Sequence, residues 1–215
     1  GASAEAGDVS YSFFNPATLA RQTGDQIAVV GSAIVPRIDP DDASARTVRG
    51  GAIGGGDGGD DVGEDAFVPA LYGMTSITPD LKAGLAVNVP FGLATDYPAG
   101  WAGRYHARES ELQSVNVNPM LAYQVTDWLA VGGGPQAQYV HARLTNAIDF
   151  GTITGAGQAA NRDGAVALEG SDWGFGYGLG ALLTPAEGTR IGLGYRSRID
   201  HGLDADAHFT LDEAG

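Results

Sequence analysis

Apolar and polar residues alternate with a period of two along several segments of this chain. The clearest segment covers residues 112–125, where the odd positions 115, 117, 121, 123 and 125 are apolar and most of their even neighbours are polar or small. The same alternation recurs in 82–91, 173–183 and 190–203, and in a weaker form in 27–35, 67–78 and 129–143. Because successive side chains of a β-strand point to opposite faces, this pattern predicts strands with one apolar and one polar face. The sequence therefore predicts an all-β fold with roughly seven strands.

The connections between these predicted strands alternate in length. Long, polar, glycine-rich connections cover residues 36–65, 92–111 and 145–171, and short ones cover 79–81, 126–127 and 185–189. A bilayer imposes this asymmetry on an antiparallel β-barrel, which has short periplasmic turns and long extracellular loops. The polar face is also rich in small residues, and Trp128 and Trp173 are interpreted as interfacial aromatic residues. The alternation alone would also fit a soluble β-sandwich, but these features favour a transmembrane barrel.

The strand count and the first residues suggest how the chain is organised. Single-chain bacterial barrels have an even number of strands, so seven strands predict part of a larger barrel. Residues 1–25 are too polar and irregular for a lipid-facing strand. We therefore expect residues 1–25 to form a hatch or plug inside the barrel, and residues 26–215 to form its first half with long extracellular loops.

Composition narrows the possible functions. The chain has 12 basic and 26 acidic residues, a net charge of −14 that argues against nucleic acid as a partner. It contains no cysteine, and its four histidines lack the short spacing of metal ligands. The serine and histidine residues do not lie in a recognisable catalytic motif, so we predict no enzyme activity, cofactor or metal site. The acidic glycine-rich segment 54–61 favours a solvated loop, although its carboxylates leave cation binding open.

Short motifs spread over the chain resemble the FadL-type outer-membrane channels. They begin with Asp8-Val9-Ser10 and Asn15-Pro16-Ala17, and continue with Phe67-Val68-Pro69, Phe91-Gly92-Leu93-Ala94-Thr95-Asp96-Tyr97, Trp101-Ala102-Gly103-Arg104-Tyr105, Asn118-Pro119, Asp172-Trp173-Gly174-Phe175-Gly176 and Gly194-Tyr195-Arg196-Ser197. The resemblance implies a barrel of about 14 strands, closed by an N-terminal hatch. It also implies capture of ligand at the extracellular loops and release sideways through a gap beside a kink in the third strand.

The resemblance also suggests candidate site residues. Its hatch motif matches Asn15, Pro16 and Ala17, and its strand-three kink and lateral opening match Val89, Pro90, Phe91 and Gly92. The ligand-binding candidates are Leu93, Tyr97, Trp101, Tyr105, Arg196 and Arg198. Proline cannot donate to a strand ladder, so Pro90 predicts either a break that lines an opening or the end of the strand at the membrane surface. The two arginines could bind an acidic head group or pair with acidic residues of the lumen.

The resulting functional prediction is passive uptake of hydrophobic small molecules, either long-chain fatty acids or hydrocarbons. The protein is expected in the outer membrane of a Gram-negative bacterium, in contact with its lipid, as a monomer. Two alternatives remain from the sequence. A general porin for polar solutes fits the small polar inner face but not the hatch, and a surface β-sandwich used for adhesion fits the alternation alone.

Overall fold

The structure, a computed structural model, describes residues 2–47, 50–59, 61–150 and 163–210. Within these ranges the chain forms three 3₁₀ helices, η1 Ala2–Ala4, η2 Val9–Phe13 and η3 Pro16–Arg21. They are followed by the strands β1 Gln26–Ile34, β2 Ala45–Arg46, β3 Ala52–Ile53, β4 Ala66–Ser76, β5 Leu81–Asn88, β6 Gly92–Asp96, β7 Glu109–Thr126, β8 Leu129–Asp149, β9 Asp163–Ala186, β10 Thr189–Arg196 and β11 Ala205–Thr210. Among the described residues, no helix has the length and hydrophobicity needed to cross a membrane.

One antiparallel sheet forms a wall with seven strand positions, in the order β1-β4-β5-β7-β8-β9-β10. The third position is divided, because β6 follows β5 and pairs with the upper part of β7. The seventh is divided in the same way, because β11 follows β10 and pairs with the upper part of β9. The β2–β3 hairpin lies apart in the first long connection. The predicted all-β antiparallel fold is confirmed, but the continuous strand predicted for 190–203 is wrong.

Three wall strands are longer than the alternation predicts. Strands β7, β8 and β9 extend into the predicted connections 92–111 and 145–171, of which residues 151–162 lie outside the described ranges. Ladder pairs such as Glu109↔Thr145 and Arg143↔Glu169 continue the sheet there. Because these extensions carry polar side chains on the face that is apolar lower down, they have no apolar period for sequence analysis to detect.

The apolar face of the wall is bare, and the polar face is covered. On β7, Leu121 and Tyr123 are 53% and 49% exposed, whereas Ser114 and Asn116 on the opposite face are each 1% exposed. A soluble sheet shows the reverse pattern, because its apolar face packs against a second layer. Within the described part of the chain, no second layer covers the apolar face. We call this the outer face, and its exposure argues against the β-sandwich alternative and for contact with lipid.

Aromatic residues mark the two edges of the apolar outer face. Trp128 lies at the short turn before β8, and Trp173 on β9 lies opposite Tyr139 on β8, with ring centroids 5.3 Å apart. Ten residues of strand separate Leu129 from Tyr139. At about 3.3 Å per residue and a tilt of about 40°, they span about 25 Å across the membrane, the height of a barrel's apolar band. Above Trp173 the same face becomes polar, so Trp173 lies at the membrane interface although it is far from the strand end.

The 3₁₀ helices pack on the inner face of the wall, against a row of glycines. A Cβ added at Gly132 would lie 2.6 Å from the backbone nitrogen of Ala17, and one at Gly180 would collide with the side chain of Asn15. Gly84, Gly192 and Gly194 face the same segment. Leu19, which is fully buried, packs among hydrophobic residues of the wall such as Met120. The wall therefore accepts this segment because these positions lack side chains.

The side chain of Asn15 explains why an Asn-Pro-Ala sequence suits this position. Its Oδ1 accepts a hydrogen bond from the Ala17 backbone N–H at 3.0 Å, and Pro16 occupies the first helical position, so together they start η3. Its Nδ2 donates to the carbonyls of Ser3, at 2.7 Å, and Ala181 on β9, at 2.9 Å. One amide thus begins the helix and attaches it to the wall.

Replacing Gly132 with alanine should displace η3, because the new methyl group would press on backbone that cannot rotate away. We expect the Gly132→Ala variant of the full-length protein to lose ~1–3 kcal/mol of unfolding free energy, as overpacked cores do. Denaturant unfolding in detergent micelles measures this loss. Gly202→Ala is the matched control, since a Cβ there meets no atom within 4 Å. Equal stability of the two variants would contradict the tight seat.

Candidate functional site

The third wall strand is interrupted between β5 and β6. Asn88 pairs with Asn116 of β7, and Gly92 pairs with Gln113. Three residues of the third strand, Val89, Pro90 and Phe91, therefore face only two residues of β7, Ser114 and Val115. This excess of one residue is a β-bulge, a feature that bends a strand and interrupts its ladder. Pro90 lies inside the interruption, and the strand resumes beyond it instead of ending there.

Ser114 forms hydrogen bonds with the backbone of Phe91, which the bulge would otherwise leave unpaired. Its hydroxyl accepts a hydrogen bond from the Phe91 N–H at 3.0 Å and can donate to the Phe91 carbonyl at 3.2 Å. Its own N–H donates to the same carbonyl at 2.9 Å. An unpaired backbone group in lipid costs several kcal/mol, so this side chain limits the cost of an interruption at the edge of the apolar band, next to the row of Val115, Tyr139 and Trp173.

The extra residue also exchanges the faces of the strand above it. On β5, Val87 pairs with Val117, whose face of β7 is the outer one, but on β6 the residue sharing that face is Gly92, opposite Gln113. A slip of one residue moves every following side chain to the other face. Leu93 thus shares the inner face with Leu112, where a simple count across Pro90 would place it outside.

The seventh strand contains the same excess. Arg196 pairs with Gly178 of β9, and Ala205 pairs with Gly170, so residues 197–204 face residues 171–177. Here too a serine meets the partner strand, because the Ser197 hydroxyl accepts a hydrogen bond from the Tyr177 N–H at 2.9 Å. The intervening segment crosses the inner face of β9. There the side chain of Ile199 lies where a Cβ at Gly174 or Gly176 would be.

A gap in the ladder lies beside the bulge in the third strand. Residues 66–69 of β4 pair with β1 but have no ladder partner on their other side. The gap has a volume of about 300 Å³, and its lining includes outer-face and inner-face residues of the wall. Its apolar lining residues are Ala66, Phe67, Val68, Val89, Leu93, Ala94 and Val115. Above it, the Glu64 N–H donates to the Ala94 carbonyl at 3.1 Å and closes the wall again.

A second cavity, which we call the inner pocket, lies between η2 and the bulge. It has a volume of about 450 Å³, and its lining includes Phe13 of η2, Pro90, Phe91 and Ile199. Two amide side chains of the wall, those of Asn116 and Gln136, also line it. The bulge therefore contributes to both cavities: Val89 and Gly92 line the gap, and Pro90 and Phe91 line the inner pocket.

Of the two candidate arginines, only Arg196 lines the inner pocket. Its guanidinium lies 3.9 Å from the centre of the Phe13 ring and donates to the Phe13 carbonyl at 2.9 Å, so it ties η2 to β10. Arg198 forms an ion pair with Asp200, and both side chains are largely exposed.

The loop aromatics are held mainly by partners within the loops. Tyr97 and Trp101 stack on each other with ring centroids 4.1 Å apart. The Tyr105 hydroxyl donates to Asp163 at 2.8 Å, and Arg104 donates to the same carboxylate at 2.8 Å. Burial, together with the hydrogen bond to Asp163, raises the pKa of Tyr105 to about 12. These residues form a packed loop cap, whereas Leu93 lines the gap and is 61% exposed.

The structure thus brings the four bulge residues together with Leu93 and Arg196, and places Tyr97, Trp101, Tyr105 and Arg198 elsewhere. Sequence reasoning missed Ser114, Phe67 and Val68 around the gap, and Asn116 and Gln136 in the inner pocket. The alternation of apolar and polar residues indicates which face of a strand each of these side chains lies on. It does not indicate which strands pair or in which register, and the pairing of β7 with the bulged third strand places these side chains at the two cavities.

The chain is similar in sequence to known outer membrane proteins. The family model described as "Outer membrane protein transport protein (OMPP1/FadL/TodX)" matches residues 1–215. An outer membrane protein of Neisseria meningitidis is 33% identical over 228 residues, covering 99% of this chain and 49% of that protein. A long-chain fatty acid transport protein of Escherichia coli is 28% identical over 155 residues, covering 66% of this chain and 35% of that protein. The chain spans half or less of these relatives.

Two solved structures share the fold, each at 19% sequence identity. A Pseudomonas aeruginosa FadL homologue matches with a TM-score of 0.74 over 97% of this chain and 51% of its own. The CymD monoaromatic hydrocarbon channel matches with a TM-score of 0.59 over 99% of this chain and 54% of its own. The family match and these relatives confirm the predicted outer-membrane location and a transport protein that is not an enzyme. The chain belongs to the OMPP1/FadL/TodX family of outer membrane transport proteins.

Proposed function

We propose that the full-length protein containing this chain is a passive outer-membrane channel for hydrophobic small molecules, which leave sideways through the gap beside the third strand. The observation that supports this most directly is the gap itself. It is lined by residues of both wall faces and lies next to the inner pocket across the bulge. Apolar residues form most of its lining, beside the acidic residues Glu64, Asp65 and Glu111. An apolar solute on such a route gains ~25 cal/mol for each Å² removed from water.

Ligand in this proposal moves down a gradient without energy coupling. It enters past the loop cap, passes to the inner pocket beside Phe13 and Phe91, and reaches lipid through the opening lined by Phe67, Val68 and Leu93. The hatch segment, attached to the wall through Asn15, blocks the alternative path straight down the lumen. The residues of the bulge and the hatch motif keep the roles that the resemblance implies, as proposals for this protein.

The cargo class follows from relatives and chemistry together. One relative is named a long-chain fatty acid transport protein, and one structural neighbour is titled a monoaromatic hydrocarbon channel. We infer that the present protein takes a compound of one of these classes and works as a monomer surrounded by outer-membrane lipid. The general porin remains the alternative, supported by the small residues of the inner face, but the seated hatch segment argues against an open lumen.

The length of the third strand, and not the chemistry of proline, should control release. Deleting Pro90 leaves two residues opposite two and lets the ladder close the gap. We expect uptake of labelled oleate or toluene by cells producing the full-length protein to fall about tenfold, the effect of a barrier raised by ~1.4 kcal/mol. Pro90→Ala retains the extra residue and should keep most of the uptake.

Two further variants accompany that experiment. Gly92→Leu keeps the strand length but puts a side chain into the gap, so uptake should fall even if the deletion variant does not assemble. Pro119→Ala in β7 is the control for loss of a strand proline and should leave uptake unchanged. Full uptake in both the Pro90 deletion and Gly92→Leu would rule out release through this gap.

The loop cap should loosen at high pH. Tyrosine has a pKa of about 10 when unfolded, and burial, with the bond to Asp163, raises the pKa of Tyr105 to about 12 in the fold. The stabilisation is therefore complete below pH ~10 and is lost as the pH rises towards 12. In an absorbance titration of the full-length protein, the late-titrating tyrosine signal should be smaller in Tyr105→Phe by the amplitude of one tyrosine and unchanged in Tyr97→Phe. An undiminished late signal in Tyr105→Phe would contradict the assignment.

A further inference from the structure

One hydrogen bond at the interruption of the third strand departs from the ladder pattern. Phe91 continues the register in which Leu93 pairs with Leu112, so it lies opposite Ser114. In a hydrogen-bonded pair of an antiparallel ladder, the two residues donate their N–H groups to each other's carbonyls. The Ser114 N–H donates to the Phe91 carbonyl at 2.9 Å, but the Phe91 N–H donates to the Ser114 hydroxyl at 3.0 Å. A side-chain oxygen therefore takes the place of a backbone oxygen.

The seventh strand shows the same exchange where it leaves the ladder. The Ser197 N–H donates to the Tyr177 carbonyl at 2.9 Å, and the Tyr177 N–H donates to the Ser197 hydroxyl at 2.9 Å. Beyond Ser197 the chain crosses the inner face of β9, and a Cβ at Gly176 on that face would lie 2.7 Å from the serine hydroxyl. In both strands, a serine hydroxyl thus replaces a ladder carbonyl at the point where a strand turns away from its neighbour.

The hydroxyl of Ser114 also sets the direction in which the third strand is displaced. Ser114 is 1% exposed and lies on the inner face of β7, so its oxygen lies on the lumen side of the sheet. An acceptor in that position draws the Phe91 N–H out of the plane of the sheet towards the lumen. Phe91 and Pro90 line the inner pocket, as this displacement requires. A third strand displaced towards the lumen is separated from β4, which leaves the gap.

Other backbone groups around the gap also lack the means to close it. Pro69 lies in the edge 66–69 of β4 that has a ladder partner on one side only, and Pro90 lies in the interruption opposite. Proline has no N–H to donate to a ladder. Together with the Phe91 N–H, which the hydroxyl occupies, three donors around the gap are absent or engaged. Of the three, only the Phe91 donor depends on a single side chain.

We propose that the Ser114 hydroxyl keeps the gap open by holding the Phe91 N–H on the lumen side of the sheet. The inference rests on the proposed release through the gap and identifies the residue that maintains it. Ser114 is a positioning residue in this role, because it acts through the backbone of Phe91. Without the hydroxyl, the Phe91 N–H has the carbonyl of residue 114 as its regular ladder partner. The cost of an unpaired donor then returns the third strand to the plane of the sheet and narrows the gap.

The variants Ser114→Thr and Ser114→Val isolate the hydroxyl. Both side chains are β-branched and similar in shape, so crowding at this buried position affects both, and only threonine retains the hydroxyl. Uptake of labelled oleate or toluene is measured in cells producing the full-length protein and normalised to the amount of folded protein. We expect uptake to be about tenfold lower in Ser114→Val than in Ser114→Thr, as for closure by the Pro90 deletion. Equal uptake in the two variants would overturn the proposal.

Stability separates this positioning role from a purely structural one. Denaturant unfolding in micelles should give Ser114→Ala a midpoint no lower than that of the parent, since the Phe91 N–H finds a backbone acceptor. A lower midpoint with normal uptake by the folded protein would show that the hydroxyl only stabilises the strand. Ser110→Ala is the matched control, because Ser110 lies on the same face of β7 and pairs with Thr95 in the regular ladder. Its uptake and its midpoint should equal those of the parent.

The Pro90 deletion distinguishes failure of this inference from failure of the channel proposal. In the deletion background the gap is already closed, so the difference between Ser114→Thr and Ser114→Val should disappear. A difference that persists there would mean that the serine acts elsewhere. If the Pro90 deletion and Gly92→Leu lower uptake but the two Ser114 variants are equal, release through the gap stands and the role of Ser114 is wrong. If none of these changes lowers uptake, both proposals fail.

Discussion

The requirement that every backbone polar group in lipid find a partner constrains this structure more than any other interaction. The wall meets it with an antiparallel ladder, and the interruption of its third strand is tolerated because Ser114 takes over the pairing of Phe91. The third strand can thus be interrupted at the edge of the apolar band without leaving the Phe91 backbone unpaired. Beside that interruption, residues 66–69 of β4 have a ladder partner on one side only.

Much of the wall could be predicted from the sequence, because lipid contact requires apolar residues at every second position of each strand. This requirement holds in the band of the wall that has Trp128 at its lower edge and Trp173 at its upper edge. Beyond that band the pattern vanishes, and the extensions of β7, β8 and β9 were not predicted. Pro90 signalled an irregularity, yet the ladder alone reveals the extra residue, since register depends on the neighbouring strand. For the same reason, the local sequence does not show that Ser114 bonds to the bulge or that Asn116 lines the inner pocket.

The polar side chains of the inner face are of two kinds. Some hold the fold together through hydrogen bonds, and others have polar atoms without a partner in the described structure. Asn15 uses its oxygen to begin η3 and its nitrogen to reach β9, so nothing of that amide remains for a ligand. Asn116 and Gln136, on the same lumen wall, keep unpaired atoms beside a cavity. The glycines under η3 serve the first purpose by bringing backbone close to backbone. Substitutions at these cavity positions should therefore leave the packing of η3 on the wall undisturbed.

The single-residue excess in the third and seventh strands has a consequence for how such a barrel can change its length. Above each excess, inner and outer positions are exchanged relative to the segment below. Loss of the extra residue restores regular pairing and keeps the faces above it, whereas a change of one residue within the continuous ladder on either side turns lumen-facing side chains outward. Length variation among descendants of this sequence should therefore fall at these two positions and in the loops.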